Sequence, residues 1–96
     1  QPEFPGGMTA LMQYLSKSLK YPTISQENGV QGRVIVQFVV NRDGSIFDPV
    51  VARSVDPYLD KEAIRVVTSM PKWKPGKQRG KAVRCRFTLP VTFKLQ

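Results

Sequence analysis

The groups able to do chemistry are few: 7 Asp and Glu, 15 Lys and Arg, 3 Tyr, 1 Cys and no His in 96 residues. Without an imidazole there is no Ser-His-Asp triad, no Cys-His pair and no His-ligated metal. Cys85 alone cannot close an internal disulfide or build a Cys-rich zinc site. The carboxylates of Glu3, Glu27, Asp43, Asp48, Asp56, Asp60 and Glu62 are scattered, with no convincing acid-base pair among them. An enzyme, a cofactor and a metal are therefore not expected, which leaves charge and exposed backbone as the means of recognition.

The charge is lopsided. Residues 1–62 carry six basic and seven acidic side chains, whereas residues 63–96 carry nine basic and none acidic. Seven of those nine lie within Lys72–Arg86, where Lys72, Lys74, Lys77, Arg79 and Lys81 lead into Arg84 and Arg86. Such an excess suits an acidic partner (nucleic acid, anionic lipid or acidic peptide), or else forms a solvated face that keeps the domain soluble. The length fits one domain over residues 1–96, with residues 1–7 as an extended arm. No segment reaches the ~18 apolar residues of a membrane span. The abrupt opening Gln1-Pro2-Glu3-Phe4-Pro5 reads as a piece cut from a longer chain.

The elements that must position these groups follow from periodicity. After the Phe4-Pro5-Gly6-Gly7 breaker, Met8 to Lys20 reads as a helix, with Leu11, Leu15 and Leu19 repeating at i+4 and Met8 and Met12 beside them. Tyr21-Pro22 ends it, because the residue before proline is pushed out of the helical region. Thr23 to Gly32 is a polar loop with room for one helical turn around Ser25–Asn28. Arg33 to Val40 is a strand with Val34, Val36, Phe38 and Val40 on one face. Asn41-Arg42-Asp43-Gly44 turns it back. The second strand, Ser45 to Val55, contains Pro49 and so belongs at an edge or a bulge. Asp56 caps a second helix with Pro57 at its first position. Leu59, Ala63, Val66, Val67 and Met70 form the buried stripe of that helix, and Pro71 stops it. Lys77 to Lys81 is a basic loop. Ala82 to Leu95 alternates most cleanly, with Val83, Cys85, Phe87, Leu89, Val91, Phe93 and Leu95 on one side.

The order α-β-β-α-β predicts an α+β fold: a three-stranded antiparallel sheet in spatial order 2-1-3, with both helices packed on one face. The proline-free strand is then central. Pro49 blunts one edge, while Pro90 sits late in the other and leaves Ala82–Leu89 with unpaired main-chain groups. A peptide can add there as a fourth strand, flanked by Arg84 and Arg86; the bland alternative is an edge that those arginines merely protect. Proline at Cys85 or Phe87 is the expected way to block such addition. Trp73 is expected to cap the core beneath a turn. Cys85 is expected to be buried and inert, Tyr21 to pack under the first helix, and Gly32 and Gly44 to serve the backbone.

Five features together resemble the TonB C-terminal domain family. They are Tyr21-Pro22 after the first helix; Gly32-x-Val34-x-Val36-x-Phe38-x-Val40 followed by Asp43-Gly44; Ser54 at the end of strand two; Glu62-Ala63 in the second helix; and Trp73-x-Pro75-Gly76 with a last strand ending Pro90-Val91-x-Phe93. The resemblance runs from about residue 4 to 95. It implies the periplasmic end of a protein tethered to the inner membrane by an N-terminal helix, which joins proton-driven motor proteins through a segment missing here. Such a domain grips the TonB box strand of an outer-membrane TonB-dependent receptor and couples proton motive force to substrate uptake. The implied contacts are Val83, Arg84, Cys85, Arg86, Phe87, Thr88, Leu89 and Pro90 on the last strand. Ser18, Leu19 and Lys20, before Tyr21 and Pro22, complete them, at positions where the family often carries glutamines that are absent here. The open edge also leaves room for a homodimer by edge pairing or strand exchange.

Two rivals stand beside this reading. A nucleic-acid module fits the charge, but Gly76 and Gly80 are one residue too far apart for a Gly-x-x-Gly loop, and a strand follows rather than a helix, so no nucleic acid is expected. Alternatively the same domain is fused to a membrane-embedded sensor protease or another envelope protein.

Overall fold

The computed structural model describes residues 1–95; residue 96, the end of the expected domain, lies outside the described residues. Eight elements follow one another: α1 (Gly7–Ser18), α2 (Thr23–Glu27), β1 (Gly32–Val40), β2 (Ile46–Arg53), α3 (Pro57–Thr68), β3 (Gly76–Gln78), β4 (Lys81–Val83) and β5 (Cys85–Phe93). The main sheet is antiparallel in the order β2-β1-β5, the 2-1-3 arrangement expected, with β5 as its third strand.

Alternation sets the layers. Val34, Val36, Phe38 and Val40 of β1 and Leu89, Val91 and Phe93 of β5 point to one side and are buried. Leu11 and Leu15 of α1 and Leu59, Ala63, Val66 and Val67 of α3 join them in a single core, so the helices cover that face. Asp56 caps α3 as its sequence implies: its carboxylate accepts from the Leu59 N–H at 3.1 Å, and Pro57 occupies the first position. Met8 and Met12 depart from expectation. They are 62% and 47% exposed, because α1 buries only the narrow i, i+4 line of Leu11 and Leu15. The helix also stops at Ser18 rather than Lys20. Leu19 is already extended, although its N–H still reaches the Leu15 carbonyl at 2.9 Å.

The largest correction lies between residues 76 and 85. In place of a basic loop feeding one long strand, β3 and β4 form a hairpin whose turn, Arg79-Gly80, has both residues left-handed (φ 54° and 78°), the twist that suits two-residue hairpins. Arg84 interrupts the chain, and β5 begins only at Cys85 and ends at Phe93 rather than Leu95. Val83 therefore belongs to the hairpin and not to the sheet edge.

Trp73 closes one end of the core, only 3% exposed. Its ring meets Phe87 at 4.9 Å, Phe38 at 5.4 Å and Phe4 at 5.7 Å between centroids, all near edge-on. The arm that carries Phe4 is part of this end: Glu3 and Lys74 exchange two main-chain hydrogen bonds, of 2.9 and 2.7 Å. Gly44, in the β1–β2 turn at φ 88°, receives the Trp73 N–H at 2.8 Å; a Cβ there would fall 2.0 Å from the Trp73 carbonyl oxygen.

Candidate functional site

β5 pairs with β1 through nine successive residues, Cys85 opposite Val40 to Phe93 opposite Gly32, without a register slip. Among the described residues it has no strand on its other side. Which main-chain groups face outward follows from the first turn. The Asn41 N–H donates to the Ser45 carbonyl at 2.9 Å, so Asn41 turns its main chain toward β2. Main-chain direction alternates along a strand. Val39, Gln37 and Ile35 therefore also face β2, and Val40, Phe38, Val36 and Val34 face β5. Their partners Cys85, Phe87, Leu89 and Val91 point back at β1. The outward set is Arg86, Thr88, Pro90 and Thr92. Pro90, which has no N–H, falls in this set, where it costs the ladder nothing. Proline at Cys85 or Phe87 would thus break the sheet itself; the residue whose N–H lies on the free rim is Thr88.

The side chains divide the other way. Arg86, Thr88, Pro90 and Thr92 are exposed on the face away from the helices, and Cys85 and Phe87 are half-buried beneath it. Cys85 is thus less buried than its alternation implied. Its sulfur occupies the space beside Gly76, where an added Cβ would come within 2.5 Å of Sγ. Arg84 stacks its guanidinium over the half-exposed Phe47 ring of β2 at 5.6 Å, off the β5 rim.

The segment Ser18–Pro22 sits at the opposite end of the same strand. Tyr21 packs edge-on against Phe93 with centroids 5.6 Å apart and donates its hydroxyl to the Val30 carbonyl. It thus packs on β5 rather than beneath α1. Two residues of α3, Glu62 of the Glu62-Ala63 pair noted above and Arg65, which the sequence did not single out, fix what precedes it. Arg65 donates to the Ser18 carbonyl at 2.8 Å, and Glu62 accepts the Lys20 N–H at 2.6 Å, while Arg65 and Glu62 bind each other at 2.7 Å. Partial burial pushes the Glu62 carboxyl upward, but the Arg65 and Lys20 hydrogen bonds outweigh it and hold its pKa below the usual value. The Arg65 guanidinium is raised by the same hydrogen bond. The i, i+3 spacing of Glu62 and Arg65 was a visible signal for their own pairing, though not for the distant backbone they hold.

The basic run is spread along the β3–β4 hairpin, where Lys77, Arg79 and Lys81 are exposed. Among the described residues only Lys72 and Arg65 are in ion pairs, with Asp43 and Glu62. Gly76 and Gly80 lie in that hairpin and not in a loop between helices. No helix among the described residues is long and apolar enough to cross a membrane.

Comparison with known proteins bears on this geometry. Residues 17–95 match the family described as Gram-negative bacterial TonB protein C-terminal. The chain belongs to the TonB C-terminal family. That family is not a family of enzymes. The Protein TonB of Pseudomonas aeruginosa is 32% identical over 76 residues, covering 79% of this chain and 22% of that protein. Protein TonB of Helicobacter pylori strain J99 is 34% identical over 56 residues, covering 57% of this chain and 20% of that protein. The chain thus spans about a fifth of the length of these relatives. The solution structure of the P. aeruginosa TonB C-terminal domain superposes with a TM-score of 0.63 at 31% identity, over 80% of this chain and 78% of that one. That of H. pylori reaches 0.70 at 24% identity over 91% of both, a likeness of fold. The matched range takes in β5 and Ser18–Pro22 but begins after the arm and most of α1. Phe4 and its contacts with Trp73 thus lie outside the match on one side.

Proposed function

We propose that this chain is the receptor-docking domain of a TonB-like energy transducer, and that β5 accepts the TonB box of an outer-membrane TonB-dependent receptor as a fourth strand. The observation that carries the reading is the rim of β5: a regular, slip-free strand with no strand on its outer side among the described residues. An added strand takes its affinity from the main-chain groups of Arg86 and Thr88 and its selectivity from the side chains on either face. Ser18–Pro22, fixed beside Phe93, supplies a second contact at the far end of that strand. In this reading the remaining four-fifths of a full-length relative would provide the inner-membrane tether and the contact with proton-driven motor proteins, and this domain would work in the periplasm. The same rim accepts a second copy of the chain when no receptor strand is present.

Strand addition suits a protein that pulls. Load applied along paired strands falls on several hydrogen bonds together. Each is worth only about 0.5–1.5 kcal/mol net, so shared loading resists rupture better than peeling one bond at a time.

The test is a titration of the isotope-labelled domain with synthetic peptides from receptor N-termini. The expected result is saturable binding with the largest amide shifts at Arg86, Thr88 and Thr92, abolished in Thr88→Pro. Binding that Thr88→Pro leaves intact would overturn the assignment.

A further inference from the structure

Beside the rim, between the N-terminal arm, α1 and β5, lies a hollow of about 240 Å³ walled by Phe4, Met8, Leu11, Trp73 and Phe87 and by arm residues 1–3. Two features mark it out. Met8, an apolar side chain at its edge, is 62% exposed, left uncovered by the described residues. Trp73, one of its walls, is 97% buried, yet its Nε1–H has no acceptor among the described residues.

We propose that this hollow is a side-chain pocket that reads one apolar residue of the chain paired on β5, with the Trp73 indole as one of its walls; the inference rests on the docking reading above. Strand geometry places the occupant. A residue directly opposite Phe87 on an added strand sits about 4.8 Å outboard and points its side chain to the same face as Phe87, the covered face on which the hollow opens. Its neighbours along the strand point to the open face, among Arg86 and Thr88. The volume is below the range of small-molecule sites and suits a leucine- or methionine-sized side chain. The arm bounds the pocket toward Cys85, since Gly76 lies between the Cys85 sulfur and the backbone of Gln1 and Pro2. The arm is itself held by the Glu3–Lys74 bridge and entered through Gly6 and Gly7, both left-handed. Phe4, Met8 and Leu11 precede residues 17–95, the range matched by the family.

Trp73 is the single tryptophan, so its indole N–H gives one resolved signal. The experiment titrates receptor N-terminal peptides and their alanine scans into the chain, into Met8→Glu and into Thr88→Pro. Met8→Glu puts a charge at an exposed site in the first turn of α1, where an acid is tolerated. The expected result is an indole shift on binding, one peptide position whose alanine variant binds about tenfold more weakly, and loss of that difference in Met8→Glu. If peptides bind and Thr88→Pro abolishes it, while the indole stays still and the alanine scan is the same in Met8→Glu, the pocket is overturned and the docking edge stands. If no peptide binds, or Thr88→Pro changes nothing, the docking reading falls and the pocket falls with it.

Discussion

The two edges of the sheet are built on opposite terms. β2 slips register twice against β1, once between Gln37 and Val39 and again between Ile35 and Val36. It contains Pro49, and Asp48 beside it takes a left-handed φ of 52° that a non-glycine residue rarely adopts. Bulges and prolines of this kind keep an edge from accepting another chain. β5 runs nine residues without a slip, and its one proline falls where the missing N–H leaves the ladder intact. One sheet thus carries a closed edge and an open one. The lesson is that availability for pairing lies in backbone regularity and in the parity of proline, more than in which residues are apolar.

Parity offers the sharpest way to break this comparison. Phe87 and Thr88 are adjacent, yet their main-chain groups face opposite ways. Phe87→Pro removes a ladder hydrogen bond and a core aromatic together, and is expected to cost about 3–5 kcal/mol. Thr88→Pro is expected to cost about 1 kcal/mol and to keep the fold while losing the peptide. Urea unfolding of both variants measures the pair; equal destabilisation would mean the assignment of the rim is inverted. Gly44→Ala comes next. It places a Cβ against the Trp73 carbonyl at a left-handed φ, in the turn that joins the closed edge to the centre. A loss of about 3 kcal/mol is expected, read from the same unfolding curves, along with a displaced Trp73 indole signal.

Much of this architecture was legible, for reasons that were local. Asp56-Pro57 and the spacing of Leu59, Ala63, Val66 and Val67 specify α3 on their own. The strict alternation of Val34 to Val40 marks the central strand, and Pro49 announces an irregular edge. The β3–β4 hairpin was hidden because the apolar alternation runs through Val83 and Cys85 without a change of phase. Its turn also depends on a left-handed arginine, Arg79, which no local preference selects. The exposure of Met8 was hidden too, since helical periodicity shows which residues share a stripe but not where a neighbour stops covering it. The grip of Arg65 on the Ser18 carbonyl joins residues 47 positions apart; only the packed fold brings them together.

That grip sharpens the comparison by a smaller amount, because it anchors Ser18–Pro22 beside β5. Glu62→Gln is expected to lower stability at neutral pH by about 1–2 kcal/mol and to weaken peptide binding through a looser second contact. The sign with pH follows from the direction of the shift. Glu62 has a folded pKa below its unfolded value of about 4.3. Its contribution is therefore complete above that value and is lost as the pH falls through the lower folded one. Parent and variant stabilities should converge on acidification. A gap that persists at about pH 2, well below the unfolded value, would mean that the carboxylate's charge is not what holds the segment.

The smallest effect is the most discriminating about why β2 is closed. If proline alone guarded that edge, Pro49→Thr would open it by restoring an N–H. The structure assigns the closure to the two register slips as well, and these remain in the variant. Outward groups on either side of a bulge fall out of phase, so an incoming strand cannot stay paired across it. Pro49→Thr is therefore expected to change stability by less than about 0.5 kcal/mol and to leave peptide-induced amide shifts confined to β5. Shifts spreading along Ile46–Arg53 would show that a single proline was the guard, and that the open and closed edges differ by one residue rather than by the regularity of the whole strand.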